Sequence, residues 1–400
     1  MQEMLKDIRV LDFTNNLAGP GAAATLADYG AEVIHIEKPV SGDDSRFFSP
    51  LIDGMSTSYL TINRNKKSVV LDLKDSAAIE IIRKMIRDTD VLIESFRPGV
   101  MDRLGLGYDA VSAIKPDIIY CSISIYGHRG PYAGKAGYDV IAQAFSGIMN
   151  YTGSEESGPT KIGVTIGDGV GMLNAYASIM TALFHRQRTG EGQRIDISLA
   201  RGLIWLCSEF NHTVIPGYHR KRMGNHDPQL CPYGIFRGPN DESIVIGAVN
   251  ANLWKKLCAA MERPEFADDP RFCTNNVRVD HSEEVNALIE GWINSLPSIA
   301  EAAKRLDAVG VPNCKVYSYE DLAKDPHVLA CGWLKGIPTP SSITSADEIP
   351  FIIGNADFSK ATARVEKAPD LGENNYEILS QYGLTQEEID SLERKWSLPH

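Results

Sequence analysis

Apolar positions in the first half of the chain fall in short continuous runs. Ile8–Phe13 (IRVLDF), Ala31–Glu37 (AEVIHIE), Ser68–Leu73 (SVVLDL), Val91–Glu94 and Ile118–Ser124 have the length and β-branched content of strands buried on both faces. Helical patterns separate them over Gly19–Tyr29, stopped by Gly30, and over Ser76–Thr89. Alternation of this kind predicts parallel pairing with helices on both faces: a Rossmann-like, doubly wound large α/β domain over residues 1–205. A long helical pattern, Val170–Arg188, ends at Thr189-Gly190-Glu191-Gly192, and a strand at Arg194–Ser198 follows. After a linker at 206–219 the pattern changes. Short strands at Ile235–Arg237 and Ser243–Val249 precede helices near Asn252–Met261, Glu283–Ser295 and Ser298–Ala308, which predicts a smaller α+β domain over 220–325. The segment 326–400 carries a helix near Tyr376–Tyr382 and a capping box, Thr385-x-x-Glu388.

Composition narrows the function. Of 400 residues 43% are hydrophobic and 23% charged, as in a folded globular protein. A formal charge of −12 argues against nucleic acid as a partner, because phosphate contacts need a basic face. No apolar run approaches the ~20 residues of a membrane span, and the first residues lack a signal-peptide pattern. Seven scattered Cys without a Cys-x-x-Cys spacing point to reduced thiols and a cytoplasmic setting.

Three groups of residues could carry chemistry. Gly19-Pro20-Gly21-Ala22-Ala23-Ala24 fits the G-x-G-x-x-A dinucleotide fingerprint, with Glu37 near the ribose-binding spacing. Five residues separate the strand from Gly19, and Pro20 removes an N–H where a pyrophosphate needs donors, so close helix–sheet packing is the better account. A basic set follows or flanks the strands: Lys38, Arg64, Lys66, Lys67, Lys74, Arg97, Arg103 and Lys135. It suits a phosphorylated ligand, and equally a solvated surface. Asp168 stands between Gly167 and Gly169 where a loop meets the long helix. It reads either as a helix N-cap or as an open carboxylate nucleophile beside backbone oxyanion donors. His212, His219 and His226 recur every seven residues without a matching acid or Cys pattern, so no metal site is expected.

Taken in order, the segments resemble class III CoA-transferases (the CaiB/BaiF type), the family of formyl-CoA transferase and carnitine CoA-transferase. The resemblance runs almost end to end. It includes Val10–Phe13 with Ala18-Gly19-Pro20, Leu26–Lys38, Asn63–Ser68 with Leu71–Lys74, Glu94–Gly99, Ala142–Gly147, Thr189–Gln193 and Pro369–Asn374. It implies that Asp168 is the catalytic aspartate, and that Lys38, Leu71, Asp72, Leu73, Lys74, Ser95, Phe96, Arg97, Arg103 and Lys135 hold coenzyme A. Asn15, Asn16, Leu17, Tyr138 and Gly169 would line the acyl pocket. It further implies an interlocked-ring homodimer whose large domains are completed by 326–400. Acyl-CoA is then a substrate, with no permanently bound cofactor. The implied chemistry is covalent, through an aspartyl anhydride and an aspartyl-CoA thioester.

Two departures refine the expectation. α-Methylacyl-CoA racemases share the fold and use a His in an Ala-Gly-His-Asp context, whereas this chain has Ala136-Gly137-Tyr138-Asp139. A phenol is a poor α-proton base near neutral pH. Gly224–Pro232 lacks the glycine run of formyl-CoA transferases, and Leu17 replaces their polar Gln. Both changes favour an acid larger than formate or oxalate, such as a carnitine-like, 2-hydroxy, aryl or bile acid. A racemase and a non-catalytic CoA-binding protein are the alternatives.

Overall fold

In a computed structural model, residues 3–397 are described. The expected parallel sheet is present. Its strands are β1 (Arg9–Phe13), β2 (Glu32–Glu37), β3 (Lys67–Val70), β4 (Val91–Glu94), β5 (Ile119–Ser124) and β6 (Gln193–Ser198). They lie in the order β3-β2-β1-β4-β5-β6, every neighbouring pair parallel. Successive residues face opposite sides of a strand, and here both sides are buried. Val10, Val33, Val91, Ile93 and Cys121 pack into one core with helices α1 (Ala18–Asp28) and α4 (Ile166–Thr189). Leu11, Ile34, Leu92 and Tyr120 pack into the other with α2 (Ser76–Ile86). This two-sided burial is why the strands read as unbroken apolar runs.

The helices of this unit that the sequence pattern does not predict include α3 (Asp139–Ser146) and α5 (Leu199–Leu206). Helix α4 also starts four residues earlier than its pattern, with Thr165 as N-cap. The glycines of Gly19-Pro20-Gly21 permit close packing. A Cβ on Gly19 would lie 2.3 Å from Thr14 Cβ, and one on Gly21 2.5 Å from Met172 Sδ of α4.

The chain divides into two compact units, one of residues 1–146, 163–208 and 329–400, the other of 147–162 and 209–328. The second has a three-stranded antiparallel sheet of β7 (Tyr233–Arg237), β8 (Ser243–Gly247) and β9 (Asn313–Lys315), with β8 central. Helices α6 (Ala251–Ala260), α7 (Ser282–Asn294) and α8 (Ile299–Val309) share its core. The tail adds an antiparallel pair, β10 (Leu334–Pro338) with β11 (Glu348–Ile352), and helices α9 (Asn375–Leu379) and α10 (Gln386–Ser397). The capping box forms: Glu388 N–H donates to Thr385 Oγ1 at 3.3 Å and Thr385 N–H to Glu388 Oε2 at 2.8 Å.

The tail closes the sheet at β3. Asn374 Oδ1 accepts the N–H of Ser68 at 3.0 Å, and Asn375 Oδ1 that of Val70 at 2.8 Å. Ile378, Leu379, Ile389 and Trp396 then pack into the core beside α2.

Part of the basic set proves to be internal. Lys66 is 5% exposed and pairs with Asp12 at 2.8 Å. Arg64 grips Asp28 through two nitrogens, at 2.9 and 2.5 Å. Lys67 bridges Glu32 and Glu377. These three are thus not candidates for an external phosphate: each cation is engaged by a carboxylate of the fold, two of them in the dry interior.

Replacing Lys66 should therefore act on stability. Lys66→Met leaves Asp12 short of a buried partner and is expected to cost about 3–5 kcal/mol, read as a fall in the urea midpoint. Unchanged stability would show that the pair is dispensable.

Candidate active site

The crevice at the carboxyl ends of β1 and β4, where strand order reverses, is where an open α/β sheet binds ligands. Two cavities lie there. The first, about 250 Å³, is lined by Asn15, Asn16, Leu17, Ser95, Phe96, Arg97, Lys135, Tyr138 and Asp168. The second, about 200 Å³, is lined by Lys38, Leu71, Asp72, Leu73 and Lys74, and shares Asn15 and Phe96 with the first. Residues distant in sequence that were singled out from sequence are thus brought together. Arg103 and Gly169 line neither cavity.

Asp168 occupies the first turn of α4, not its cap. The capping is done by Asp139, the first residue of α3 and 7% exposed. Its Oδ1 accepts the N–H of Gly167 at 2.6 Å and that of Asp168 at 3.3 Å, while Oδ2 accepts Gln143 Nε2 at 2.7 Å. The N–H of Ile166 donates to Val164 O, and that of Gly169 to Thr165 O at 3.0 Å. The four leading donors of the helix are thus consumed. This corrects the expectation that Gly169 and its neighbours offer oxyanion donors. Across the cavity, the N–H groups of Ala18 and Gly19 at the start of α1 make no hydrogen bond among the described residues.

No hydrogen bond reaches the Asp168 carboxylate among the described residues. Burial, reinforced by the charge of Asp139, pushes its pKa up to about 6. It is a carboxylate held without donors, hence basic and reactive when ionised.

The cations are disposed for a large anion. Arg97 and Lys135 have no ion-pair partner among the described residues, and Lys135 Nζ stands 3.9 Å from the Tyr132 ring centroid. Lys38 is paired with Asp44 at 2.5 Å, half exposed. Lys74 is exposed. Asn15 N–H donates to Ser95 Oγ at 3.1 Å, tying the loops after β1 and β4 together. Tyr138 is 73% exposed at the cavity mouth.

Sequence reasoning missed the supports of this site. Asp139 was visible only as a neighbour of Tyr138; an Asp opening a helical stretch with Gln143 one turn on was the available signal. Glu94, at the end of β4, accepts Phe96 N–H at 2.9 Å; burial pushes its pKa up to about 7 against the pull of Ser122 and that N–H. His212 and His226 meet Tyr218 and Phe236 edge to face, at 5.2 and 5.3 Å between ring centroids. Among the described residues no three His, Cys, Asp or Glu form a metal-binding group, and no helix is long and apolar enough to cross a membrane.

A parallel sheet with a carboxylate and free cations at its crevice defines an α/β protein built for an anionic ligand, and comparison with known proteins supplies the family. Residues 5–375 match the model of CoA-transferase family III, and the chain belongs to that family. It is 34% identical to succinyl-CoA–D-citramalate CoA-transferase of Chloroflexus aurantiacus, covering 98% of this chain and 97% of that one. It is 36% identical to human succinyl-CoA:glutarate CoA-transferase over 84% of this chain and 77% of that one. Acetyl-CoA:oxalate CoA-transferase of Acetobacter aceti is 38% identical over 80% and 82%. Among solved structures, a CaiB/BaiF family protein from Brucella suis superposes with a TM-score of 0.84 at 32% identity, covering 95% of this chain and all of that one.

The raised pKa of Asp168 makes a sign-definite prediction. An acid whose folded pKa (about 6) exceeds its ordinary value (3.8) favours the fold below the lower value and loses that contribution as pH rises through the higher. Asp168→Asn should then stabilise the protein at pH 8 by about 2–3 kcal/mol, and by almost nothing at pH 3.5. Thermal melts at both pH values check this; a Tm unchanged at pH 8 would contradict it.

Proposed function

We propose that the protein moves coenzyme A from a donor acyl-CoA to an acceptor carboxylic acid through covalent chemistry on Asp168. The observation that carries this reading is the donor-free carboxylate of Asp168 facing a cavity walled by Arg97 and Lys135. In the first step an Asp168 oxygen attacks the thioester carbonyl. The C–S bond breaks, leaving an aspartyl–acyl anhydride and CoA thiolate. The thiolate attacks the aspartyl carbonyl, which gives an aspartyl-CoA thioester and frees the donor acid as carboxylate. The acceptor carboxylate repeats both steps in reverse: it displaces thiolate to form a second anhydride, and thiolate then attacks the acceptor's carbonyl and releases Asp168. Thioester energy is conserved throughout. The N–H groups of Ala18 and Gly19 are suited to the tetrahedral oxyanions, since those of α4 are already used.

Lys38, Leu71–Lys74, Ser95–Arg97 and Lys135 are read as the coenzyme A contacts, supported by their convergence on the two cavities. Arg103 and Gly169 have no such support. The acceptor is read as an acid larger than formate or oxalate, on the strength of Leu17 at the cavity. Relatives named for citramalate and glutarate put five-carbon dicarboxylates first among the acceptors to test. Exposed apolar side chains on α4 and α5 (Phe184, Trp205 and Leu206) support an assembly of two copies. Seven scattered cysteines without a Cys-x-x-Cys spacing fit a reducing, cytoplasmic setting.

Incubation with succinyl-CoA should leave a mass adduct on Asp168 that hydroxylamine removes, and Asp168→Asn should lose at least about 10³-fold in kcat/KM. The acid limb of kcat/KM should fall near pH 6, where Asp168 takes up its proton. Full activity in Asp168→Asn would refute the mechanism. Solvent deuterium entering the α-position without an acceptor acid would instead favour the racemase.

A further inference from the structure

Two loops wall the crevice: Thr14–Leu17 after β1 contributes to both cavities, and the stretch 38–44 after β2 contributes to the second. The contacts that hold them converge on one side chain outside the chemistry described so far. His35, in β2, is 1% exposed. Its Nδ1 lies 3.1 Å from Asp12 Oδ2 and its Nε2 3.4 Å from Asp43 Oδ2. The other oxygen of Asp43 accepts the N–H of Asn16 at 3.2 Å and of Ser45 at 2.7 Å. The next residue, Asp44, is zipped to Asn15: its N–H donates to Asn15 Oδ1 at 2.8 Å, and its Oδ2 accepts Asn15 Nδ2 at 2.6 Å. Asn16 itself sits at φ +73°, a left-handed conformation that an L residue holds only under constraint.

Charge balance explains why an imidazolium suits this place. The acids Asp12, Glu37 and Asp43 share the interior with the cations Lys66, Arg46 and His35, all of them buried. With His35 protonated, three negative charges face three positive ones. Burial opposes the charge on His35, yet Asp12 and Asp43 overcome it and Lys66 only partly offsets them, so its pKa rises to about 9. Deprotonation would leave a net negative charge in a dry interior and loosen the grip on Asp43.

We propose that His35 is a positioning residue: clamped between Asp12 and Asp43, its imidazolium fixes Asn15, which lines both cavities, and Asn16, which lines the first, and so sets the affinity for acyl-CoA. The inference rests on reading those cavities as the acyl-CoA site.

The test uses the full-length protein, His35→Gln, and the double variant His35→Gln/Asp43→Asn. The single variant leaves three acids facing two cations. The double variant restores two against two and keeps an oxygen at position 43 for the Asn16 N–H. Amide hydrogen exchange over residues 14–18 should lose protection in the single variant and regain it in the double. The succinyl-CoA KM should rise about tenfold in the single variant, with kcat within about twofold, and recover in the double. In the unmodified protein, protection should persist below pH 8 and fall as pH rises through 9, because a raised histidine pKa supports structure only while the ring is charged. A folded single variant with intact protection and unchanged KM overturns the proposal, as does a defect the double variant fails to relieve. Should the single variant not fold, the pH series and the double variant decide. If the unmodified protein takes no acyl-CoA, the reading of the cavities fails, and hydrogen exchange alone judges His35.

Discussion

The interior at the ends of β1 and β2 holds ionised side chains that an apolar core cannot solvate, and the working end of the molecule is organised around keeping them paired. Asp12 accepts from Lys66 and from the hydroxyl of Thr14, the latter at 2.5 Å. Glu37 holds Arg46 through two nitrogens, at 2.6 and 2.8 Å, and also accepts from Ser68 at 2.6 Å and from Asp43 N–H at 2.8 Å. A buried charge that loses its partner is far costlier than a pair is favourable. The cluster therefore behaves as a constraint on shape: the loop after β1 must bring Thr14 to it, and the connection after β2 must bring Asp43, Arg46 and Lys66. In doing so they enclose the crevice.

Asp168 shows the opposite treatment of a charge. A helix start is a natural place to stabilise a carboxylate, through four free N–H groups and the dipole. Here another carboxylate, that of Asp139, has taken the donors, and Asp168 is left with burial and a like charge. Structure thus spends a helix terminus on making one carboxylate less comfortable. That arrangement leaves Asp168 destabilised as a charge, which fits the nucleophilic role proposed for it.

How much of this was legible beforehand follows from where each signal resides. The strands declared themselves because burial on both faces leaves no polar alternation. The start of α4 was misplaced by four residues because Gly167, Gly169 and Gly171 lower helix propensity, while the cap that compensates comes from Asp139, well upstream. Lys66 and Arg64 looked like surface cations because their acids lie 54 and 36 residues away; residue type carries no record of such a partner. Helices α3 and α5 and the tail hairpin are short, and their burial is decided by tertiary contact. The candidate site was found mostly through family resemblance, since an aspartate between glycines has several physical readings.

The seal on β3 has a consequence for biogenesis. The sheet's third strand is made early, yet the amides of Ser68 and Val70 are satisfied by Asn374 and Asn375. At translation rates of roughly 5–20 residues per second, about 15–60 seconds separate the two. For that interval a nascent chain carries an open strand edge, the template on which other strands add. The large unit therefore reaches its finished state only after Asn374 and Asn375 have been made, and a message truncated before codon 374 would yield a product with most of its cores and an adhesive flank.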